Sequence, residues 1–157
     1  MKALIIYDSH AGNTQKVAEA IASGIEGCNA GLKDVHDVTL DDLNGVKLLI
    51  VGSGTHGIKP TLAITKFIES IPANALDGVN ITAFDTRIEK ENIKKLIFRL
   101  ISDDSNFAAR PIAEKLRKKG GTLVLLPEPF ILEGENGPLK QGELERAKLW
   151  GRLACHA

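Results

Sequence analysis

The stretch from Lys2 to Ile25 constrains this chain more than any other. Ala3-Leu4-Ile5-Ile6-Tyr7 is an unbroken apolar run, the pattern of a strand buried on both faces. Val17, Ala18, Ile21, Ala22 and Ile25 follow at helical spacing. Between the two lies Asp8-Ser9-His10-Ala11-Gly12-Asn13-Thr14, a short loop of hydroxyls, a glycine and an amide. A strand that delivers such a loop to a helix N-terminus gathers the free N–H groups of the first turn and the positive end of the helix dipole at one point. Gly12 lets the backbone approach a ligand closely, while Ser9 and Thr14 offer hydroxyl donors. The loop therefore predicts a phosphate cradle. A plainer account stands beside it, because the same residues also cap helices and form tight turns. This loop carries neither GxxxxGKS/T nor GxGxxG.

The rest of the chain alternates strands and helices, without repeats or a low-complexity linker. Strands are expected over Leu32–Val38 (weakly alternating), Lys47–Val51, Asn80–Phe84 and Thr122–Leu126, the last interrupted or forced to an edge by Pro127 and Pro129. Helices are expected over Thr61–Ile71, Ala108–Lys119, which Gly120-Gly121 stops, and Gln141–Leu153, the last preceded by a turn over Gly134–Pro138. Such alternation implies a parallel sheet with helices on both faces, with ligands at the carboxyl ends of its strands. At 157 residues the chain suits one domain over 1–157, large enough for a core without staples. Lys2 leads straight into the first strand, so no secretory leader is expected, and no apolar run is long enough to cross a membrane. Cys28 and Cys155 form no CxxC pattern and are expected to be reduced thiols in a cytoplasmic protein. Twenty basic and twenty acidic side chains balance, which argues against nucleic acid as the principal partner.

Two further strand ends carry loops rich in small and polar residues. One is Gly52-Ser53-Gly54-Thr55-His56-Gly57-Ile58-Lys59-Pro60; the other is Asp85-Thr86-Arg87-Ile88. Either loop alone is explained equally well by turn chemistry. Three such loops at strands one, three and four are more than packing requires. The four histidines make no ligand-spaced cluster with carboxylates along the sequence, so no metal site is expected. A phosphoacceptor receiver domain would need an Asp ending the third strand and a Lys ending the fifth. Val51-Gly52 and Leu126-Pro127 stand there instead.

Ser9-His10-Ala11-Gly12-Asn13-Thr14 resembles the flavodoxin phosphate loop S/T-x-T-G-x-T, with Ala11 in place of the middle threonine. DLNGVKLLIVGSGTHGIKP is similar to the family's segment running from Asp-Leu to its G-x-P-T-Y loop. VNITAFDTR and the tail GPLKQGELERAKLWG extend the likeness over nearly the whole chain. The resemblance implies a doubly wound, five-stranded parallel sheet of order 2-1-3-4-5, bound FMN, and electron transfer with redox partner proteins. It assigns the phosphate to Ser9, His10, Ala11, Gly12, Asn13 and Thr14. Ser53, Gly54, Thr55, His56 and Gly57 would line one side of the flavin, and Asp85, Thr86 and Arg87 its other flank. No residue is expected to be a catalytic acid or base. Gly57 is the candidate for a backbone flip toward flavin N5.

The chain departs from the family where flavodoxins place ring-stacking aromatics, since its loops offer His56 and no Trp or Tyr. Arg87 either faces the ring, where it would raise the reduction potential, or is solvated or paired with a carboxylate. Between Arg87 and Ala108, Ile93, Leu96, Ile97, Leu100 and Ile101 mark an additional amphipathic helix. It is expected to pack on the domain as a lid, or else to form a homodimer contact or bring Phe98 or Phe107 over the flavin. An FMN-dependent NAD(P)H:quinone oxidoreductase and a flavin-free interaction domain are the alternatives. An aromatic content of 4% disfavours the first, and Ala11 with the missing ring aromatics favours the second.

Overall fold

Lys2–Asp8 forms β1, and every residue after Lys2 is buried. Its two faces carry different side chains, so each needs its own cover. Asn13–Gly24 (α1) follows the loop. Then come Asn29–Asp34 (β2), Val46–Gly54 (β3), Leu62–Ser70 (α2), Asn80–Ile88 (β4), Ala109–Lys118 (α3), Thr122–Leu123 (β5), Glu128–Leu132 (β6) and Glu143–His156 (α4). This computed structural model describes residues 1–55, 59–88 and 107–157. The expected helix over Ile93–Ile101, with Phe98, lies outside the described residues, as do His56 and Gly57.

All pairings along the sheet are parallel, in the order β2-β1-β3-β4-β5, with β6 also on β4. Leu4, Ile6, Leu49, Val51, Ile81 and Ala83 face α2 and α3. Ala3, Ile5, Leu48, Ile50 and Phe84 face α1 and α4. On that second face Phe84, Phe130 and Trp150 meet edge to face, with centroids 6.0–6.4 Å apart. Alternate strand residues thus feed two separate apolar layers, as a doubly wound sheet requires.

The strand boundaries differ from expectation in ways that matter for the site. β2 lies earlier than Leu32–Val38. The Asp34 carboxylate accepts from the His36 N–H at 2.9 Å and turns Val35–Asp37 into a short helical turn. β3 and β4 run on to Gly54 and Ile88, because each finds parallel partners out to those residues. Ser53, Gly54, Asp85, Thr86 and Arg87 are therefore strand residues rather than loop residues. The fifth strand is in two pieces: β5 pairs with Asn80 and Ile81, and β6 pairs with Phe84 to Ile88. Pro127 falls in the break, where it has no N–H to give a ladder, and Leu126 is 78% exposed. Pro129 is tolerated inside β6.

Candidate functional site

The loop after β1 is closed from within: Ser9 Oγ accepts from the Gly12 N–H at 3.1 Å. Gly12 then takes φ 91°, a left-handed conformation that favours glycine, and no side chain caps α1. The first helical bond runs from the Lys16 N–H to Gly12 O at 3.1 Å. The N–H groups of Asn13, Thr14 and Gln15 precede it and find no acceptor among the described residues. They converge at the positive end of the helix dipole.

Two strand ends complete the cradle. Thr86 comes from the face of β4 that looks toward α1, and its Oγ1 lies 2.8 Å from Thr14 Oγ1 in a buried contact. Two hydroxyls carry two protons, and one suffices for the bond between them, so one remains to donate. The Thr55 N–H is anchored on Thr86 O at 3.1 Å, which places Thr55 at the end of β3. Thr55 Oγ1 is buried with no hydrogen-bond partner among the described residues. A buried hydroxyl without a partner is costly, and a bound anion would satisfy it. His10, Ala11, Asn13, Thr14, Gly54, Thr55 and Thr86, with Leu132, Glu135 and Asn136, line a cavity of about 70 Å³ here.

Not every expected donor points into this cavity. The Asn13 amide donates to Asn136 O at 3.0 Å, so its side chain holds a neighbouring loop while its backbone N–H faces the cradle. That loop is a hairpin over residues 131–140. The Glu133 N–H donates to Pro138 O at 2.8 Å, and the Lys140 N–H to Ile131 O at 2.9 Å. Sequence reasoning saw only a turn at Gly134–Pro138. Nothing local shows that its backbone lands on Asn13, more than a hundred residues earlier. Ser53 Oγ donates to Gly54 O at 2.7 Å and accepts from the Thr61 N–H at 3.0 Å. It fastens the start of α2 rather than facing the cavity.

Asp85 and Arg87 are not brought to the cradle. They lie on the opposite face of β4 from Thr86, beneath α3. Asp85 is fully buried. It accepts from Arg87 Nε at 2.7 Å and Nη2 at 2.5 Å, and from the Ala109 N–H at 2.8 Å. The Arg87 guanidinium also lies 4.1 Å from the centroid of the Phe107 ring. Of the two expectations for Arg87, carboxylate pairing is the one observed. A cavity of about 290 Å³ borders this face, lined by Arg87, Arg110, Glu114, Leu126 and Pro127 among others. It is larger than the cradle, and Ala109 and Arg110 bring the start of α3 to its wall.

The fold also joins groups that sequence spacing separates. Adjacent strand ends bring the ligand atoms of Asp8, Asp34 and His36 within 4.8 Å of one another. His36 Nδ1 lies 2.6 Å from Asp34 Oδ1. Partial burial works against ionisation of Asp34, yet hydrogen bonds from the His36 backbone and ring hold its carboxyl below the usual range. The same hydrogen bond raises His36. His10 Nε2 lies 3.8 Å from the buried Asp8 carboxylate.

The flavodoxin family model matches residues 5–150. A flavodoxin of Aquifex aeolicus is 33% identical over 91 residues, 54% of this chain and 49% of that protein. A flavodoxin of Maridesulfovibrio salexigens is 34% identical over 89 residues, 53% of this chain and 61% of that one. The alignments thus span about half of the length of these curated relatives. A solved flavodoxin from the domain Archaea superposes with a TM-score of 0.76 at 28% identity, covering 99% of this chain and 97% of the other. Among the described residues no helix is long and apolar enough to cross a membrane.

Proposed function

Because the chain belongs to the flavodoxin family, we propose that it binds FMN through the phosphate at the α1 N-terminus and carries electrons between redox partner proteins. The observation that carries this reading is the unfilled donor set at the carboxyl ends of β1, β3 and β4. It comprises the free first-turn N–H groups, the spare proton of the Thr14–Thr86 pair and the unpartnered Thr55 hydroxyl. These donors match a phosphate dianion in hydrogen-bond sense, and the positive end of the α1 dipole favours its charge. Bound FMN supplies the redox chemistry. Asn13, Thr14 and Gln15 bind its phosphate through their backbones, and Ser9 holds the loop in shape. Thr86 fixes the Thr14 hydroxyl, while the hairpin over residues 131–140 closes on Asn13 and keeps water from one side of the cradle. Asp85 and Arg87 act at a distance, by fixing β4 against α3.

An absorption spectrum of the purified protein with added FMN, before and after dialysis, tests this. Flavin bands that persist through dialysis, and are lost when Thr14 and Thr86 are both replaced by Val, support the reading. Folded protein from which FMN washes out overturns it. Sustained NAD(P)H-driven turnover of a quinone by the flavin-loaded protein would replace the carrier role with that of a reductase.

A further inference from the structure

The helices α1 and α4 pack so closely that their facing glycines have no room for a side chain. A Cβ on Gly24 would lie 1.9 Å from Lys148 O, and one on Gly151 would lie 2.3 Å from Ile21 O. This approach carries the last turn of α4 past the end of α1. Cys155 arrives beside Cys28, in the connection between α1 and β2, and the two Sγ atoms lie 2.7 Å apart across 127 residues of chain. Both cysteines are free and only half buried, so small reagents have access to them. Their position is remote from the cradle. Cys28 precedes Asn29, which pairs with Lys2 at the amino end of β1, whereas the cradle lies at the carboxyl end.

We infer that Cys28 and Cys155 form a disulfide-forming pair, a reversible modification site that small-molecule disulfides oxidise. Thiols already in contact need no backbone rearrangement to be joined. Burial and the neighbouring Cys28 push the Cys155 thiol up to about 11, and the exchange reaches the same product whichever of the two attacks first. With Cys28 first, its thiolate attacks one sulfur of the oxidant, forms a mixed disulfide and expels one small thiolate. Cys155, on losing its proton, attacks the Cys28 sulfur of that mixed disulfide and expels the second. The protein loses two electrons and two protons, and the oxidant becomes two thiols. The product ties α4 to the end of α1 and closes the chain from Cys28 to Cys155 into one loop, which restricts the unfolded state.

The test uses the full chain, reduced, desalted and exposed to oxidised glutathione. Both protein thiols should disappear. The intact mass should fall by two hydrogens with no glutathione retained, and the product should remain a monomer on a non-reducing gel. Its thermal midpoint should rise by several degrees and return with dithiothreitol, while FMN binding stays unchanged. Cys28→Ser and Cys155→Ser should each stop at a single glutathione adduct. Wild-type protein that ends with glutathione on either cysteine, forms cross-linked dimers, or keeps both thiols unreacted while folded overturns the pair. Failure of FMN binding would not bear on it, since the readout is thiol chemistry.

Discussion

Valine substitution at Thr14 and Thr86 offers a double-mutant cycle whose outcome is set by counting protons. The hydroxyls lie 2.8 Å apart and are buried; valine keeps their shape and deletes the oxygen. In the flavin-free protein, either single change strands the surviving hydroxyl without its partner, at about 1–3 kcal/mol. Removing both strands nothing, so the double variant should lose less than the sum of the singles, by about 1 kcal/mol or more. FMN affinity should follow a different pattern. Each single variant retains a hydroxyl whose proton is free for the phosphate, so affinity should move only slightly. The double variant has no such donor. Losing one hydrogen bond to a charged group, about 1.5–3 kcal/mol, should weaken binding roughly 10- to 100-fold. Urea unfolding of the flavin-free protein measures stability, and quenching of FMN fluorescence measures affinity. Additive stability losses, or one single variant losing as much affinity as the double, would refute the shared-proton arrangement.

Gly52→Ala places a Cβ 2.0 Å from Phe84 Cζ, against a ring held by Phe130 and Trp150. It should cost about 1–3 kcal/mol in urea unfolding, and adding Phe84→Leu should recover part of that; an unchanged midpoint would contradict the packing. Asp85→Asn removes the carboxylate charge that pairs with the buried Arg87 guanidinium and should destabilise by about 3–5 kcal/mol. Pairing it with Arg87→Met should recover much of the loss, and no recovery would mean that Asp85 acts chiefly through the α3 N-terminus. His36 titrates above 6.5 because Asp34 accepts from its ring, so its contribution to stability is complete below pH 6.5 and fades as pH rises through the raised midpoint. Asp34 titrates below 3.8, so its contribution is complete above that value and fades as pH falls through the lowered midpoint. NMR titration should find the His36 midpoint higher in the wild type than in Asp34→Asn, where Asp8 and Asp37 alone remain to raise it; equal midpoints would dissolve the pair.

Local sequence determined the parts of this protein that local physics controls. The apolar run of β1, the Gly12 turn and the amphipathic spacing of α1 are each written within a few residues, so the cradle's backbone was legible without a fold. The alternation of elements likewise implied a parallel sheet covered on both faces, whereas its strand order came from the resemblance to flavodoxins. Tertiary structure decided what depends on how far a strand finds partners. Once β4 pairs out to Ile88, its two-residue period sends Thr86 to the cradle and Asp85 and Arg87 to the other face. A short sequence read as a loop places all three on one flank. Only the fold could lay the hairpin over residues 131–140 on Asn13 or join Asp8 to Asp34 and His36. It also set Cys155 against Cys28. These contacts link residues far apart in the chain, and their geometry is fixed by helix packing and strand register, neither of which any short stretch encodes alone.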